Sequence, residues 1–134
     1  MNKHVLGAMI FLILFGALLG MAADAIIMTE SQITTDSADQ TEPDFDGQYV
    51  VCQDNRSGNW DIYMYDLVTQ YPIIETRITN NIADQVYPAV DSGRVVWQDH
   101  RNGNWDIYLY DVKNKTETRI TSNTADQQYP AIYR

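Results

Sequence analysis

The sequence predicts an all-β fold of β-propeller blades, each made of four antiparallel strands. Residues 50–67 read VVCQDNRSGNWDIYMYDL and residues 95–112 read VVWQDHRNGNWDIYLYDV, so the chain nearly repeats itself after 45 residues. Each copy consists of short runs rich in Val, Ile, Tyr and Trp, separated by turn residues. A period of roughly 40–45 residues with four strands per unit is typical of a propeller blade.

A second pair of echoes extends the repeat. ETRITNNIADQVYPAV at residues 75–90 recurs as ETRITSNTADQQYPAI at residues 117–132, and a weaker copy, QITTDSADQTEPDFD, begins at Gln32. We therefore expect a partial propeller, with two complete units and a single strand on either side of them. The complete units are predicted at about residues 43–79 and 88–121, the preceding last strand at 32–35 and the following first strand at 129–132.

The first half of the second unit follows from its turn and strand residues. Its first strand is predicted at residues 87–90, where Pro88 suits a strand start or a sheet edge. The turn Asp91-Ser92-Gly93 then leads into a second strand at residues 94–98, which is rich in β-branched and aromatic side chains.

A hairpin and an alternating strand complete the unit. Asn102-Gly103 favours a tight hairpin, because both residue types accept positive φ angles, and Gly58 holds the same place in the first copy. Residues 105–111, WDIYLYD, alternate between two faces of a third strand. A fourth strand is predicted at residues 117–121, after a short loop.

The first 23 residues are predicted to be a signal peptide or an uncleaved signal-anchor. Residues 5–23 carry no charge, and the sequence turns polar at Asp24. This order of regions is typical of a secretory signal, while the apolar run approaches the ~20 residues that span a bilayer. Either outcome exports the repeats to the cell surface, the periplasm or the extracellular medium as a secreted protein. Residues 24–31 form a linker to the predicted propeller at 32–134.

The charge and cysteine content narrow the range of functions. The chain has 18 Asp and Glu against 9 Lys and Arg, for a formal net charge of −9. An acidic surface of this kind repels nucleic acid, and the sequence contains no basic stripe that would offset the repulsion. The single cysteine, Cys52, aligns with Trp97 of the second copy, so it is predicted to fill an apolar strand position rather than to react.

Taken together, these motifs resemble the β-propeller repeat of TolB-like proteins, in the variety found in tandem in exported and cell-surface proteins of archaea and bacteria. The resemblance covers residues 32–134 and rests on an arginine–glycine hairpin, a DIYxYD strand and a proline-led first strand. Residues 42–45, EPDF, depart from the YPAV pattern, so the opening blade is expected to be irregular or an end cap. The predicted structural motif comprises Arg56, Gly58, Trp60, Asp61, Arg101, Gly103, Trp105 and Asp106.

Two blades are fewer than the about 4–8 that close a propeller. Their outer faces are expected to leave rows of Tyr, Trp and Ile without neighbours. The chain is therefore expected to be a piece of a longer propeller, or a subunit that self-associates to complete the ring.

Three Ala-Asp-Gln loops are the main candidate for a ligand site. They contain Asp39, Asp84 and Asp126, and the resemblance implies that such loops lie at one mouth of the propeller near its channel. A ring of carboxylates there could bind a cation or a basic peptide group, but the sequence identifies no metal. Shared turn chemistry is the better explanation of identical loops, because Asp readily forms such turns.

Other repeated side chains also have both a functional and a structural explanation. Trp60 and Trp105 could stack on a sugar, but a residue that packs between blades must recur whereas a ligand contact need not, which favours packing. Asp99 is predicted to pair with Arg101 in its hairpin. The remaining repeated carboxylates are expected to cap turns rather than bind cations: Asp54, Asp61, Asp66, Asp106 and Asp111.

The sequence gives weak support for N-glycosylation and still less for catalysis. Asn55-Arg56-Ser57 and Asn114-Lys115-Thr116 match the N-glycosylation sequon, and Asn114 is the better candidate because it lies in the variable loop. The sequence contains no G-x-S-x-G nucleophile elbow. Its two histidines are His4 in the leader and His100 in a hairpin where the first copy has Asn55.

The sequence thus predicts a non-enzymatic, exported β-propeller module that binds a protein or another cell-envelope component. No cofactor and no nucleic acid is expected, and a membrane is contacted only through residues 1–23 if they stay uncleaved. Two alternatives stay open: a lectin-like or cation-binding propeller, and the propeller remnant of a hydrolase without its catalytic domain.

Overall fold

The structure is a computed structural model that describes residues 10–12, 30–68 and 72–133. These residues form strands, turns and irregular segments without a helix, and therefore include no helix capable of spanning a membrane. Their ten strands comprise two antiparallel sheets of four strands each and a separate two-stranded pair. The two four-stranded sheets are the blades predicted from the repeat.

Both blades have the same topology, in which each strand pairs with the strand that follows it in the chain. The separate pair consists of β1 (Ile10–Leu12) and β2 (Glu30–Gln32). Blade 1 consists of β3 (Gln40–Phe45), β4 (Tyr49–Asp54), β5 (Asp61–Asp66) and β6 (Ile74–Arg77). Blade 2 consists of β7 (Gln85–Asp91), β8 (Arg94–Asp99), β9 (Asp106–Asp111) and β10 (Thr116–Arg119).

Several strand limits differ from the sequence prediction. β7 begins two residues earlier than predicted, because Gln85 already pairs with Asp99 of β8. β10 ends two residues earlier, because the backbone N–H groups of Ile120 and Thr121 both turn onto the carbonyl of Ile107, at 2.7 and 3.3 Å.

The two flanking single strands were predicted wrongly in detail. The preceding strand is Glu30–Gln32 rather than 32–35, because its partner is β1. Residues 129–132 form no strand, since this segment bonds to a side chain of blade 2 rather than to a backbone ladder. Of the predicted leader at residues 1–23, only Ile10–Leu12 lies within the described residues; of the linker at 24–31, only residues 30 and 31 do.

The two predicted hairpins turn at glycines with positive φ. Gly58 has a φ of 93° and Gly103 a φ of 90°. The Gly58 N–H donates to the Asn55 carbonyl at 3.0 Å, and the Gly103 N–H donates to the His100 carbonyl at 3.1 Å. A residue without Cβ meets this backbone conformation at the lowest cost.

Both first strands contain a bulge at the same position of the repeat. The register shifts between Thr41 and Asp44 in β3, and between Val86 and Ala89 in β7. In each case the residue just before the proline has a positive φ, and the segment after blade 2 repeats this conformation. The three φ values are 51° for Glu42, 54° for Tyr87 and 56° for Tyr129.

The main apolar core lies between the two blades. The Trp97 ring is fully buried there and stacks on Tyr108, with ring centroids 6.1 Å apart. Blade 1 contributes Val51, Ile62 and Met64, and blade 2 contributes Val90, Val95, Trp97 and Tyr108. Because neither blade buries these side chains alone, the two sheets form one packed body.

The outer faces of the two blades differ, which corrects the expectation that both lack neighbours. On blade 1, Tyr65 is fully buried in a second cluster, and the partly buried Ile33 packs against that cluster from the segment before the blade. On blade 2, Ile107 and Leu109 are half-buried, and Ile120 is 54% exposed. Among the described residues, only blade 2 therefore has an outer face whose apolar side chains are left uncovered.

We expect Cys52 to resist thiol reagents while the protein is folded. Its side chain is fully buried in the outer cluster of blade 1, and burial raises the pKa of its thiol to about 12. The thiolate is the reactive form, so the folded protein presents almost none at about pH 8. Ellman's reagent should label Cys52 only after denaturation, with Cys52→Ala as the blank.

The same pKa predicts how stability depends on pH. An unfolded cysteine loses its proton near pH 8.5, below the folded value of about 12. The contribution of Cys52 to stability is therefore fully present below about pH 8.5 and is lost as the pH rises toward 12. Rapid labelling of the native protein would contradict both expectations.

Candidate functional site

Arg101 of the second hairpin lies between two carboxylates and against an aromatic ring. Its Nη2 atom is 2.6 Å from Oδ2 of Asp99, and its Nη1 atom is 2.7 Å from Oε1 of Glu117. Its guanidinium carbon lies 4.3 Å from the centre of the Tyr108 ring. The pairing of Asp99 with Arg101 that the sequence predicted is confirmed.

Arg56 repeats this cluster in the first hairpin. Its Nη2 atom is 2.6 Å from Asp54, its Nη1 atom is 2.8 Å from Glu75, and its guanidinium carbon is 4.3 Å from the Tyr63 ring centre. Asp36 adds a carboxylate oxygen 3.7 Å from Nε. The hydrogen bond to Asp54 further raises the pKa of Arg56. This guanidinium is thus permanently charged and already paired.

The carboxylates at the start of the third strands tie each third strand to the end of the fourth. Asp61 is fully buried and accepts from Arg77 Nη2 at 2.7 Å; Asp106 is fully buried and accepts from Arg119 Nη2 at 2.8 Å. Burial raises the pKa of Asp61. Burial also acts on Asp106, but the hydrogen bonds from Arg119 and Asn102 outweigh it and lower the pKa of Asp106.

Two of the three Ala-Asp-Gln loops use their carboxylate to cap the preceding hairpin. Asp84 Oδ1 accepts the backbone N–H of Trp60 at 3.0 Å, and Asp126 Oδ1 accepts that of Trp105 at 2.9 Å. Asp39 instead donates its backbone N–H to the Asn55 side chain at 3.1 Å. Within the described ranges, no group of three or more His, Cys, Asp or Glu side chains is arranged to hold a metal ion. Ligand binding by these loops stays a prediction.

The two repeated tryptophans lie at the surface of the blades rather than in their core. Trp60 and Trp105 are half-buried and belong to neither apolar cluster. The Trp105 ring contacts His100, with centroids 4.8 Å apart. Their backbone carbonyls accept the N–H of the glutamine in the next loop, at 2.8 and 2.7 Å. The tryptophan that packs between the blades is Trp97.

The two sequons differ in exposure. Asn114 is exposed on the turn between β9 and β10, where its Nδ2 donates to Asp111 at 2.9 Å. Asn55 is half-buried, and its Oδ1 accepts from the Asp39 backbone. The backbone N–H of Asn114 lowers the pKa of Asp111. Use of either sequon stays a prediction, and the exposure favours Asn114.

A pair of exposed tyrosines was missed by the sequence reasoning. The rings of Tyr87 and Tyr129 meet edge to face, with centroids 5.0 Å apart and planes at 63°. Glutamines of the second strands hold both backbones: the Tyr87 N–H donates to Gln53 Oε1 and the Tyr129 N–H to Gln98 Oε1, each at 2.9 Å. The repeated Tyr-Pro pair was visible in the sequence, but the positive φ was not.

A cleft of ≈ 910 Å³ lies between the turns of the two blades. Asp46, Arg94 and Lys113 line it, so its charges have both signs. Asp46 already caps its own turn, accepting the Tyr49 N–H at 2.8 Å. The lining of the cleft therefore favours neither anionic nor cationic ligands.

Four-stranded antiparallel blades that pack face to face define a β-propeller. Here two such blades are joined by an Ala-Asp-Gln loop whose carboxylate caps the hairpin of the blade before it. The class of protein is thus a partial β-propeller.

Solved structures show which propeller it resembles. The chain matches the putative TolB from Agrobacterium tumefaciens with a TM-score of 0.63 and 20% identity over 75% of this chain. It matches TolB from Acinetobacter baumannii with a TM-score of 0.61 and 24% identity over 78% of this chain. The tricorn protease gives 0.54 and 17% over 75%. The chain has a TolB-like β-propeller fold.

These matches cover only part of the larger proteins. The chain spans 36% of the Agrobacterium protein, 26% of the Acinetobacter protein and 9% of the tricorn protease. No family model matches the sequence, and no curated protein does.

Proposed function

We propose that the chain is a non-enzymatic interaction module of an exported or cell-surface protein. The observation that carries the proposal is the way the repeated charged groups are used. Arg56 and Arg101 each bridge two carboxylates, while Asp61 and Asp106 are buried against arginines. Acid–base or nucleophilic catalysis requires such groups to be available to a substrate, and here they tie together the strands within each blade.

The negative net charge and the apolar N-terminal segment support the proposed export or cell-surface location. The apolar residues 5–23 lead into an acidic chain, and an acidic surface keeps an exported domain soluble without attracting nucleic acid. The partner is a protein or another component of the cell envelope. The outer face of blade 2 is apolar, and further blades or a second copy would pack against it.

Two experiments on intact cells of the native host test this proposal. A membrane-impermeant amine reagent should label the exposed Lys113 and Lys115 of the full chain without cell lysis. A photo-cross-linker at position 87 should yield a discrete heavier species, while one at Val68, 66% exposed in a separate loop, serves as the control. Labelling only after lysis would overturn the location, and absence of a species specific to position 87 would overturn the interaction surface.

The lectin-like alternative has one observation in its favour, the half-buried position of Trp105 beside His100. A glycan array distinguishes it from the proposed function. Sugar binding that disappears in a folded Trp105→Ala variant would favour the lectin; we expect no such dependence.

A further inference from the structure

One position of the repeat forms a row along the first strands. Glu42 in β3, Tyr87 in β7 and Tyr129 after blade 2 occupy the same place, each just before a proline and each with a positive φ. β3 and β7 are neighbours in the fold, as are Tyr87 and Tyr129. We call these three residues the bulge row.

The backbone conformation of the bulge row does not explain why two of its three residues are tyrosines. A positive φ costs free energy for a bulky residue such as tyrosine, whereas glycine and asparagine adopt it readily. The glutamine bonds to Tyr87 and Tyr129 hold this strained conformation in place. Strain that recurs and is held in this way is a reason to ask what the side chain does.

Both tyrosines of the bulge row are exposed to solvent. β7, which carries Tyr87, lies beside β3, and the Tyr87 ring contacts Tyr129; Tyr87 is still 36% exposed, and Tyr129 is 68% exposed. Large exposed aromatic rings that are fixed in position are typical of binding surfaces.

Two other tyrosines of this chain, Tyr63 and Tyr108, each hold a cation over the ring. In each blade, an arginine lies 4.3 Å from a tyrosine ring centre and pairs with a buried carboxylate, as Arg56 does with Tyr63 and Asp54. These two clusters account for the cation–π contacts recorded among the described residues. The bulge row offers the same two components, tyrosine rings and a carboxylate, on a chain of net charge −9.

We propose that the bulge row is a recognition site for an organic cation, a guanidinium or alkylammonium group carried by the partner. The rings of Tyr87 and Tyr129 supply the aromatic faces, and Glu42 supplies the opposite charge. This inference rests on the proposed interaction function and names the chemistry of its ligand.

The test is a titration followed by NMR of tyrosine ring signals in the full chain, at constant ionic strength. The probes are tetramethylammonium chloride and N-acetylarginine amide, with sodium chloride as the reference. We expect saturable shifts for Tyr87 and Tyr129 with the organic cations, and none for Tyr133, which is 88% exposed. Preference for the arginine probe would indicate a peptide source, and preference for tetramethylammonium a small quaternary amine.

Tyr87→Asn separates a binding role from a structural one. Asparagine removes the ring but accepts the positive φ, so relief of backbone strain offsets the lost contact with Tyr129; the variant should stay folded with a thermal stability close to the parent's while binding the cation at least about three-fold more weakly. Tyr87→Phe, which keeps the ring, should retain binding, and Glu42→Gln should weaken it.

Unchanged affinity in Tyr87→Asn, or equal shifts with sodium, would overturn the proposal. So would the lack of any saturable shift, even if cross-linking from position 87 still captured a partner. Conversely, cation binding without a cross-linked partner would overturn the interaction function and leave the cation site intact.

Discussion

Replacing Trp97 by alanine should lower the free energy of unfolding by about 3–5 kcal/mol, the usual cost of removing a large buried aromatic ring. The ring is fully buried between the blades and stacks on Tyr108. Its Nε1 atom also donates to the buried Asp99 at 3.1 Å. Because single domains are stable by only about 5–15 kcal/mol, this one change should remove a large part of the total.

Urea denaturation of the full chain, followed by tyrosine and tryptophan fluorescence, measures this effect. Cys52→Ala is the matched control, since Cys52 holds the equivalent place on the outer face of blade 1 and is equally buried. Removing one sulfur atom should cost only about 1 kcal/mol. A loss below about 1 kcal/mol in Trp97→Ala would mean that the blades do not depend on a shared core.

Replacing Asp99 by alanine should also cost about 3 kcal/mol, because it removes the buried partner of a largely buried guanidinium and the acceptor of the buried Trp97 indole N–H. Asp99 is fully buried and accepts from the Arg101 guanidinium at 2.6 Å and from the Arg101 backbone at 2.9 Å. The variant therefore loses a turn cap and leaves the guanidinium over Tyr108 with only the part-exposed Glu117 as its carboxylate partner.

Glu117, the other carboxylate that pairs with Arg101, provides the control. The side chain of Glu117 is 33% exposed, and exposed ion pairs contribute at most about 1 kcal/mol. Glu117→Ala should therefore be nearly neutral. Combining Asp99→Ala with Arg101→Met should recover part of the loss, because the guanidinium that lost its buried partner is then removed. Equal losses in Asp99→Ala and Glu117→Ala would contradict the structural role of the buried pair.

The repeat made the blades predictable, because strand alternation and turn residues are local properties of the sequence. The Asn102-Gly103 hairpin and the pairing of Asp99 with Arg101 both follow from neighbours within a few residues. The aligned position of Cys52 and Trp97 likewise indicated an apolar site, and both side chains are fully buried.

What could not be predicted depends on contacts between segments that are distant in sequence. The covering of blade 1 by Ile33 required knowing where the segment before the blade lies. The positive φ of Tyr87 depends on Gln53, 34 residues away, whose side chain holds the bulge. Periodicity alone also assigned core packing to Trp105, whereas its ring lies half-buried beside His100 and the tryptophan of the shared core is Trp97.

The central claim is that the doubled motif builds two blades that share one core and fold as one unit. Amide hydrogen exchange of the full chain in increasing urea tests it most directly. The backbone N–H of Ile62 donates to Thr79 and that of Ile107 to Thr121, each at 2.8 Å, so the two amides report on equivalent bonds in the two blades. We predict that protection in β5 and β9 disappears over the same range of urea. Loss of protection in β9 while β5 stays protected would contradict a shared core.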